Sequence, residues 1–235
     1  MFPYHGAKTN VIKHYPAPMH DTVIETMCGS ARYALKYWDR NVICYDIYPV
    51  VINIWKWLQQ CSKEDILKLP RMQMGDHVDD KKFTFDCQEA KDLMGFMIGF
   101  IPATPRKTAT IRMKQKPNSI NFTLNRIASN LHKIRHWEFV CDSYMNIPNE
   151  KATYFIDPPY QDSGKHYKFY KMNYEYLAKW VLSRQGQVIV CESGQADWLD
   201  FKPLIRHNVR SGTQQELVYL NHEHQVLNQQ IEIWV

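Results

Sequence analysis

The chain has 235 residues, 45% of them hydrophobic and 23% charged, which is the composition of a folded globular protein long enough to bury a full core. Its formal net charge of +5 permits a polyanionic partner but does not require one. The sequence argues against a membrane-spanning protein, because no apolar run approaches the length needed to cross a bilayer.

The first predicted unit is a strand, a turn, a helix, a second strand and a second helix. This order is the first half of a nucleotide-binding α/β unit, in which an acid follows the second strand. The elements are predicted over residues 23–25, 26–31, 33–38, 42–46 and 50–58.

An acidic residue ends each of these two strands. Asp46 follows Glu25 by 21 positions, close to the usual interval between a glycine turn and a ribose-binding acid. We therefore expect the Asp46 carboxylate to accept both hydroxyls of a ribose. The turn itself carries a single glycine, Gly29, which lets the backbone come close to a ligand.

Residues 58–139 are interpreted as an insertion outside the parallel sheet. Residues 93–137 contain no Asp or Glu, so their eight Lys and Arg residues make a cationic segment. Within the insertion the pattern predicts helices over 63–69, 88–100 and 122–137, with an exposed loop or hairpin over 103–121.

The alternation of strands and helices returns after the insertion. Strands are predicted over 139–142, 154–156 and 188–191, and a helix over 174–183. A closing antiparallel pair is predicted over 215–219 and 230–235.

The apolar run that precedes Asp157 ends abruptly on Asp157-Pro158-Pro159-Tyr160. Two prolines stiffen this loop, and the carboxyl end of a strand is where open α/β sheets bind ligands. The Asp157 carboxylate and the Pro158 carbonyl can each accept one hydrogen of an exocyclic amine, while Tyr160 stacks on a planar ring. Such acceptors aim the amine lone pair at an electrophile such as a sulfonium methyl group, with no need for a metal. The plainer alternative is a turn after a core strand.

The remaining signals concern metals and location. The six cysteines are scattered without a metal-binding spacing, so we expect reduced, packed thiols and no zinc site. Residues 1–13 are polar and lack an export signal, so we expect a cytoplasmic protein.

Taken in order, these motifs resemble those of the DNA adenine N6-methyltransferases of the Dam type, the D12 class. Residues 4–8 resemble the opening aromatic-x-Gly-Gly-Lys motif, with Ala7 in place of the second glycine. Residues 25–31 resemble the glycine-rich cofactor loop, from which Thr26, Met27 and Ala31 depart; an alanine is accommodated there if its φ stays negative. The resemblance continues through Asp46, residues 139–144, the full loop 157–160, and an Arg-rich approach to a closing Glu-Leu strand over 210–217.

The resemblance implies an α/β fold: a Rossmann-like methyltransferase sheet with an inserted, mainly helical target-recognition region. Residues 1–57 and 140–235 would form the catalytic domain and 58–139 the insertion. It also implies S-adenosylmethionine as methyl donor, S-adenosylhomocysteine as product and no metal. The cofactor-binding residues would be Tyr4, Lys8, Glu25, Met27, Cys28, Gly29, Ser30, Asp46, Ile47, Asp142 and Asp157.

The implied acceptor is an adenine flipped out of double-stranded DNA, because a stacked and paired base cannot be reached. The catalytic residues would be Asp157, Pro158, Pro159 and Tyr160, with Tyr167, Phe169 and Tyr170 either flanking the extruded nucleotide or simply packing. Cations at the position of a recognition loop are the expected DNA contacts, mostly to phosphate. They are Arg106, Lys107, Arg112, Lys114 and Lys116.

Two other functions remain open from the sequence. The same acceptor geometry serves an RNA adenine or a cytosine N4 amino group. An inactive relative would still bind DNA but would show no measurable binding of S-adenosylmethionine. The expected setting is the cytoplasm of a bacterium or a phage-infected host, with a monomer or weak dimer that performs site-specific DNA methylation, as in restriction–modification.

Overall fold

The computed structural model describes residues 1–209 and 212–221, and these form a mixed sheet flanked by helices on both faces. Its seven strands lie in the order β3-β2-β1-β4-β5-β7-β6. The first five are parallel, and β7 is antiparallel to both of its neighbours. The strands are β1 (Thr22–Thr26), β2 (Asn41–Asp46), β3 (Glu138–Cys141), β4 (Ala152–Ile156), β5 (Gly186–Ser193), β6 (Lys202–Val209) and β7 (Gly212–Leu220).

This topology confirms the predicted fold class, an α/β fold with a Rossmann-like sheet. The strand order reverses between β1 and β4, and the crevice beyond the carboxyl ends at such a switch point is the usual ligand site. Among the described residues no helix is long and apolar enough to cross a membrane.

Local sequence signals account for where several helices begin. Pro49 occupies the first turn of its helix, where its missing N–H costs nothing. Ser62 and Asp65 form a reciprocal capping box, and Asn173 accepts a hydrogen bond from Tyr176 N. The helices are α1 (Arg32–Lys36), α2 (Pro49–Gln60), α3 (Lys63–Leu67), α4 (Gln88–Met97), α5 (Arg112–Gln115), α6 (Ser119–Asn130) and α7 (Tyr174–Leu182).

Two apolar layers cover the sheet, and each contains packed aromatic pairs. On one face the Trp55 ring stacks on Phe139 at 5.4 Å. On the other face α7 packs Trp180 edge-on against Tyr154. The insertion helices α4 and α6 bury their apolar sides in the first layer, next to α2 and α3, so the insertion shares a core with the sheet.

The boundaries of the insertion differ slightly from the expectation. Helix α2 continues to Gln60 and β3 begins at Glu138, so both ends of the predicted segment 58–139 belong to the sheet layers. The division into two domains stays a prediction.

The carboxyl-terminal strands differ more strongly from the sequence prediction. The outer neighbour of β7 is β6, which the sequence pattern did not predict because Pro203 and the charged Lys202 and Arg206 are typical of an edge strand. The strand expected over 230–235 lies outside the described residues, as do positions 210 and 211 of the predicted approach to β7.

Candidate active site

A cavity of about 620 Å³ opens at the carboxyl ends of β1, β2 and β4. Ligand sites of proteins span roughly 300–1,000 Å³, so this volume suits a nucleoside-sized cofactor. The cavity is lined by every residue expected to bind the cofactor, namely Tyr4, Lys8, Glu25, Met27, Cys28, Gly29, Ser30, Asp46, Ile47, Asp142 and Asp157.

Four acids line this cavity, and two of them, Asp46 and Glu25, differ in protonation. Asp46 is buried and accepts hydrogen bonds of 2.9 Å from the N–H groups of Gly29 and Tyr48. Burial raises its pKa to about 6, against the opposing effect of these donors, so it is mainly ionised at neutral pH. Burial raises the pKa of Glu25 to about 8, although the N–H of Ala34 donates to its Oε2 at 2.7 Å. Of these two acids, Asp46 is therefore the anionic acceptor, and Glu25 is mostly neutral.

The turn after β1 is held in an unusual backbone conformation. Met27, Gly29 and Ala31 all have positive φ, at 51°, 45° and 47°. The condition that φ stays negative at Ala31 is therefore not met. The turn closes through hydrogen bonds from Ala31 N to Cys28 O and from Leu35 N to Ala31 O, which place this alanine in the left-handed region. Backbone strain of this kind is typical of functional sites.

Gly29 also makes room for an aromatic ring. A Cβ atom at this position would lie 2.8 Å from two ring carbons of Tyr4, closer than real Cβ contacts. The glycine thus lets the Tyr4 ring close one side of the cavity.

A buried ion pair joins the amino-terminal segment to the predicted catalytic loop. Lys8 Nζ lies 2.8 Å from Asp157 Oδ1, and its side chain is only 8% exposed. Burial alone would lower the pKa of Lys8, but the carboxylates of Asp157 and Glu216 raise it above its ordinary value. Lys8 therefore stays charged and fixes one oxygen of Asp157.

Glu216 on β7 organises the other side of this loop. It is 2% exposed, and its Oε1 accepts hydrogen bonds from Tyr160 Oη at 2.7 Å and from Tyr15 Oη at 2.6 Å. Lys8 Nζ lies 3.5 Å from the same oxygen and 4.5 Å from the centroid of the Tyr160 ring. Tyr160 is thus held by its hydroxyl, with one ring face covered by the ammonium group.

Sequence reasoning assigned no role to Glu216, although it lies in the strand that the resemblance aligned. An acid at an inward position of a mostly apolar strand was the available signal. Its hydrogen-bond partners are remote in sequence, so these hydrogen bonds could not be predicted from local patterns.

The rest of the loop is rigid. Tyr174 Oη donates to the Pro159 carbonyl at 2.7 Å, and Gly164 N donates to the Tyr160 carbonyl at 2.8 Å. Within the described part of the chain, no donor is bonded to the Pro158 carbonyl. Pro158 is buried, however, and does not line the cofactor-sized cavity.

A second and larger cleft, of about 1380 Å³, lies on the other side of the amino-terminal segment. Residues 4–8 and Tyr167 line both spaces, and Tyr160 faces the larger cleft. The aromatic residues Phe169 and Tyr170 line only the cofactor-sized cavity, where Phe169 packs edge-on against Tyr48. The predicted catalytic loop thus lies at the junction of two spaces.

The five cations expected to bind DNA do not form one surface. Arg112 and Lys116 line the larger cleft, whereas Arg106 and Lys107 line a separate pocket of about 460 Å³. Lys114 lines none of these three. Hydrogen bonds from Arg106 N to Gly95 O and from Val78 N to Lys107 O direct these two residues away from the cleft.

The structure refines the expectation for cysteines and metals. Cys141 is exposed and Cys87 is partly exposed, whereas Cys28, Cys44, Cys61 and Cys191 are buried, and none of the six forms a disulfide. In the described ranges no cluster of three or more His, Cys, Asp or Glu side chains could hold a metal ion.

A comparison with protein-family models found no match, and a comparison with curated protein sequences found no similar one. Solved structures gave remote matches. A Haemophilus influenzae protein described as a candidate methylase is 9% identical, with a TM-score of 0.36 over 85% of this chain and 87% of that chain. The Streptomyces viridochromogenes rRNA methyltransferase aviRa is 13% identical, with a TM-score of 0.39 over 87% and 79%.

The 16S rRNA methylase RmtB is 9% identical, with a TM-score of 0.33. The match covers 86% of this chain but only 56% of RmtB. Similarities at such identities and scores describe those proteins and carry no argument about the substrate of this one.

The close approach of Tyr4 to Gly29 is tested by Gly29→Ala. An alanine here would have an unfavourable left-handed backbone, and its Cβ would also crowd the Tyr4 ring. The two costs add, so the free energy of unfolding should fall by about 2–4 kcal/mol. Gly75→Ala is the matched control, because Gly75 also has positive φ but a Cβ there meets nothing within 4 Å. It should cost only about 1–2 kcal/mol. Equal losses in urea unfolding would contradict the tight packing.

The role of Glu216 is tested by Glu216→Ala. This change leaves the hydroxyls of Tyr15 and Tyr160 without their acceptor, and the free energy of unfolding should fall by about 2–3 kcal/mol. Thr213→Ala, exposed on the same strand, should stay within about 0.5 kcal/mol of the parent. A loss no larger than that of the control, measured by urea unfolding, would show that the buried carboxylate does not hold the loop.

Proposed function

We propose that the protein is a site-specific DNA-methyltransferase that transfers a methyl group from S-adenosylmethionine to N6 of a flipped-out adenine. One observation carries this proposal: the Asp157-Pro158-Pro159-Tyr160 loop lies where a cofactor-sized cavity meets a larger cleft. Such a junction lets donor and acceptor molecules approach one another from opposite sides.

The residues of the smaller cavity fit the proposed cofactor. Asp46 offers an ionised carboxylate to the ribose hydroxyls, and the Gly29 turn brings backbone close to the ligand. Tyr4 closes the wall beside this turn. When bound, S-adenosylmethionine supplies a methyl group activated by a sulfonium centre.

The loop supplies acceptors for an aromatic amine. Asp157 and the Pro158 carbonyl accept its two hydrogens, and Lys8 holds Asp157 in place through the ion pair. Hydrogen bonds of this kind direct the nitrogen lone pair out of the ring plane, and Tyr160 orients the ring by stacking. As the new N–C bond forms, the bond from the methyl group to the sulfonium sulfur would break to leave S-adenosylhomocysteine, and the amine would lose a proton to Asp157 or solvent. Positioning, rather than a strong base, is the main contribution of these residues.

Identification of the methylated nucleoside tests the substrate. The protein is incubated with isotope-labelled S-adenosylmethionine and either duplex DNA or structured RNA, and the products are digested and separated. Labelled N6-methyladenine from DNA is expected. N4-methylcytosine, or labelled RNA with unlabelled DNA, would overturn the substrate assignment. No product together with no cofactor binding by calorimetry would overturn the methyltransferase itself.

Asp157→Asn is expected to abolish turnover and to leave cofactor affinity within a few-fold. The amide retains an oxygen for Lys8 but loses the charge that accepts the amine hydrogen. Asp200→Asn, an exposed change of the same type, should leave turnover intact. The comparison requires single-turnover rates on duplex DNA and calorimetry with cofactor. An Asp157→Asn protein as active as the parent would remove the catalytic role of this carboxylate.

Cofactor affinity should depend on pH through Asp46. Ribose hydroxyls favour the ionised form, and its pKa is about 6, so affinity should be full above pH 6 and should weaken as the pH falls through that value. Titration calorimetry between pH 5 and 8 on the parent and on Asp46→Asn measures this dependence. The variant should bind weakly and with a flatter profile. An affinity that rises on acidification would contradict the assignment.

A further inference from the structure

Three arginines from separate parts of the chain meet in the wall of the larger cleft. Arg32 begins α1, Arg112 begins α5, and Arg126 lies within α6. All three line the cleft together with Tyr160 of the predicted catalytic loop. Neither Arg32 nor Arg126 belongs to the set that the sequence pattern singled out for nucleic acid.

The charges of these guanidinium groups are not neutralised by a direct partner within the described ranges. Among those residues, no carboxylate forms an ion pair with any of the three, and the Nε atom of each is shielded from solvent without a hydrogen-bond partner. Burial lowers the pKa of all three, and for Arg32, whose pKa falls to about 10, the charge of Arg126 adds to the effect and that of Glu25 opposes it. Partly buried cations without a direct ion pair are costly, so an anion bound here would relieve that cost.

Neutral contacts fix the directions of these side chains without neutralising them. Arg32 donates to the Phe2 carbonyl at 3.1 Å, and Arg126 donates to the Met1 carbonyl at 2.9 Å. The Arg112 guanidinium lies over the ring of Phe100 at 5.9 Å. These contacts preorganise the groups, which reduces the entropy lost when a ligand binds.

The same wall offers further donors. Ser119 Oγ, which is buried and has no hydrogen-bond partner among the described residues, lines the cleft, as does the exposed Lys116. Guanidinium groups match the oxygens of phosphate in bidentate geometry, and hydroxyl groups are common phosphate donors. A cleft of about 1380 Å³ has room for more than one nucleotide.

We propose that Arg32, Arg112 and Arg126, with Ser119, form a binding site for the backbone phosphates of the nucleic acid that enters the larger cleft. The proposal rests on the proposed function only in that a nucleic acid occupies this cleft. It assigns the arginines to the sugar–phosphate chain rather than to base edges, so binding through them is independent of sequence.

The test uses Arg112→Gln and Arg126→Gln with Arg40→Gln as control. Arg40 is an arginine at the opposite end of the strands, paired with Asp21, so its change removes the same charge away from the cleft. The probe is a short fluorescein-labelled DNA duplex, titrated without cofactor at several KCl concentrations and followed by fluorescence anisotropy. A second duplex of the same length that lacks adenine in one central stretch tests sequence dependence.

Each cleft variant should bind both duplexes several-fold more weakly, and the slope of log affinity against log salt should shrink by about 0.9 for each phosphate that the variant no longer neutralises. Arg40→Gln should match the parent. Parent-like affinity and slope in both cleft variants would overturn the proposal, as would a loss confined to one duplex, which indicates base reading.

Two features keep the test decisive. The Arg112 guanidinium donates no hydrogen bond within the described residues, so Arg112→Gln carries the result if Arg126→Gln proves unstable in thermal unfolding. The readout needs no methyl transfer. If the protein binds DNA as expected but methylates none, the phosphate site stands and the proposed reaction is overturned. If it methylates DNA but the cleft variants bind like the parent, the reaction stands and the phosphate site is overturned.

Discussion

The ion pair between Lys8 and Asp157 is the interaction on which the rest of the candidate site depends. It joins the amino-terminal segment to the end of β4, and Glu216 extends it to β7. Three distant parts of the chain thereby meet around one ammonium group. Breaking a buried pair by removing one partner is costly, because the remaining charge is left without compensation. The charges thus fix the loop as firmly as its two prolines do.

The segment that carries Lys8 also separates the two spaces of the molecule. Its residues line the cofactor-sized cavity on one side and the larger cleft on the other. The polar character of the two spaces differs accordingly. Four acids line the first space, whereas Arg112 and Arg126 line only the second and Arg32 lines both.

Much of the fold could be predicted from the sequence, because its signals are local. Apolar runs that end on Asp46 and Asp157 identify two central strands, and their position at strand ends places both acids in one crevice. Properties that depend on distant partners could not be predicted. Tertiary packing determines three such features. They are the polar edge strand β6, the hydrogen bonds of Glu216, and the position of Arg32 in the same cleft as residues of the insertion. The left-handed φ of Ala31 follows from the hydrogen bonds that close its turn. The conformational preference of alanine alone would predict a negative φ.

The partition formed by residues 4–8 has a thermodynamic consequence. Gly6 lies so close to Tyr167 that a Cβ atom would overlap the phenol oxygen, and the same hydroxyl donates to the His5 carbonyl at 3.2 Å. A wall packed this tightly transmits a displacement instead of absorbing it. If a ligand in one of the two spaces displaces this wall, the shape of the other space changes with it, and the resulting change in affinity would be equal for the two ligands.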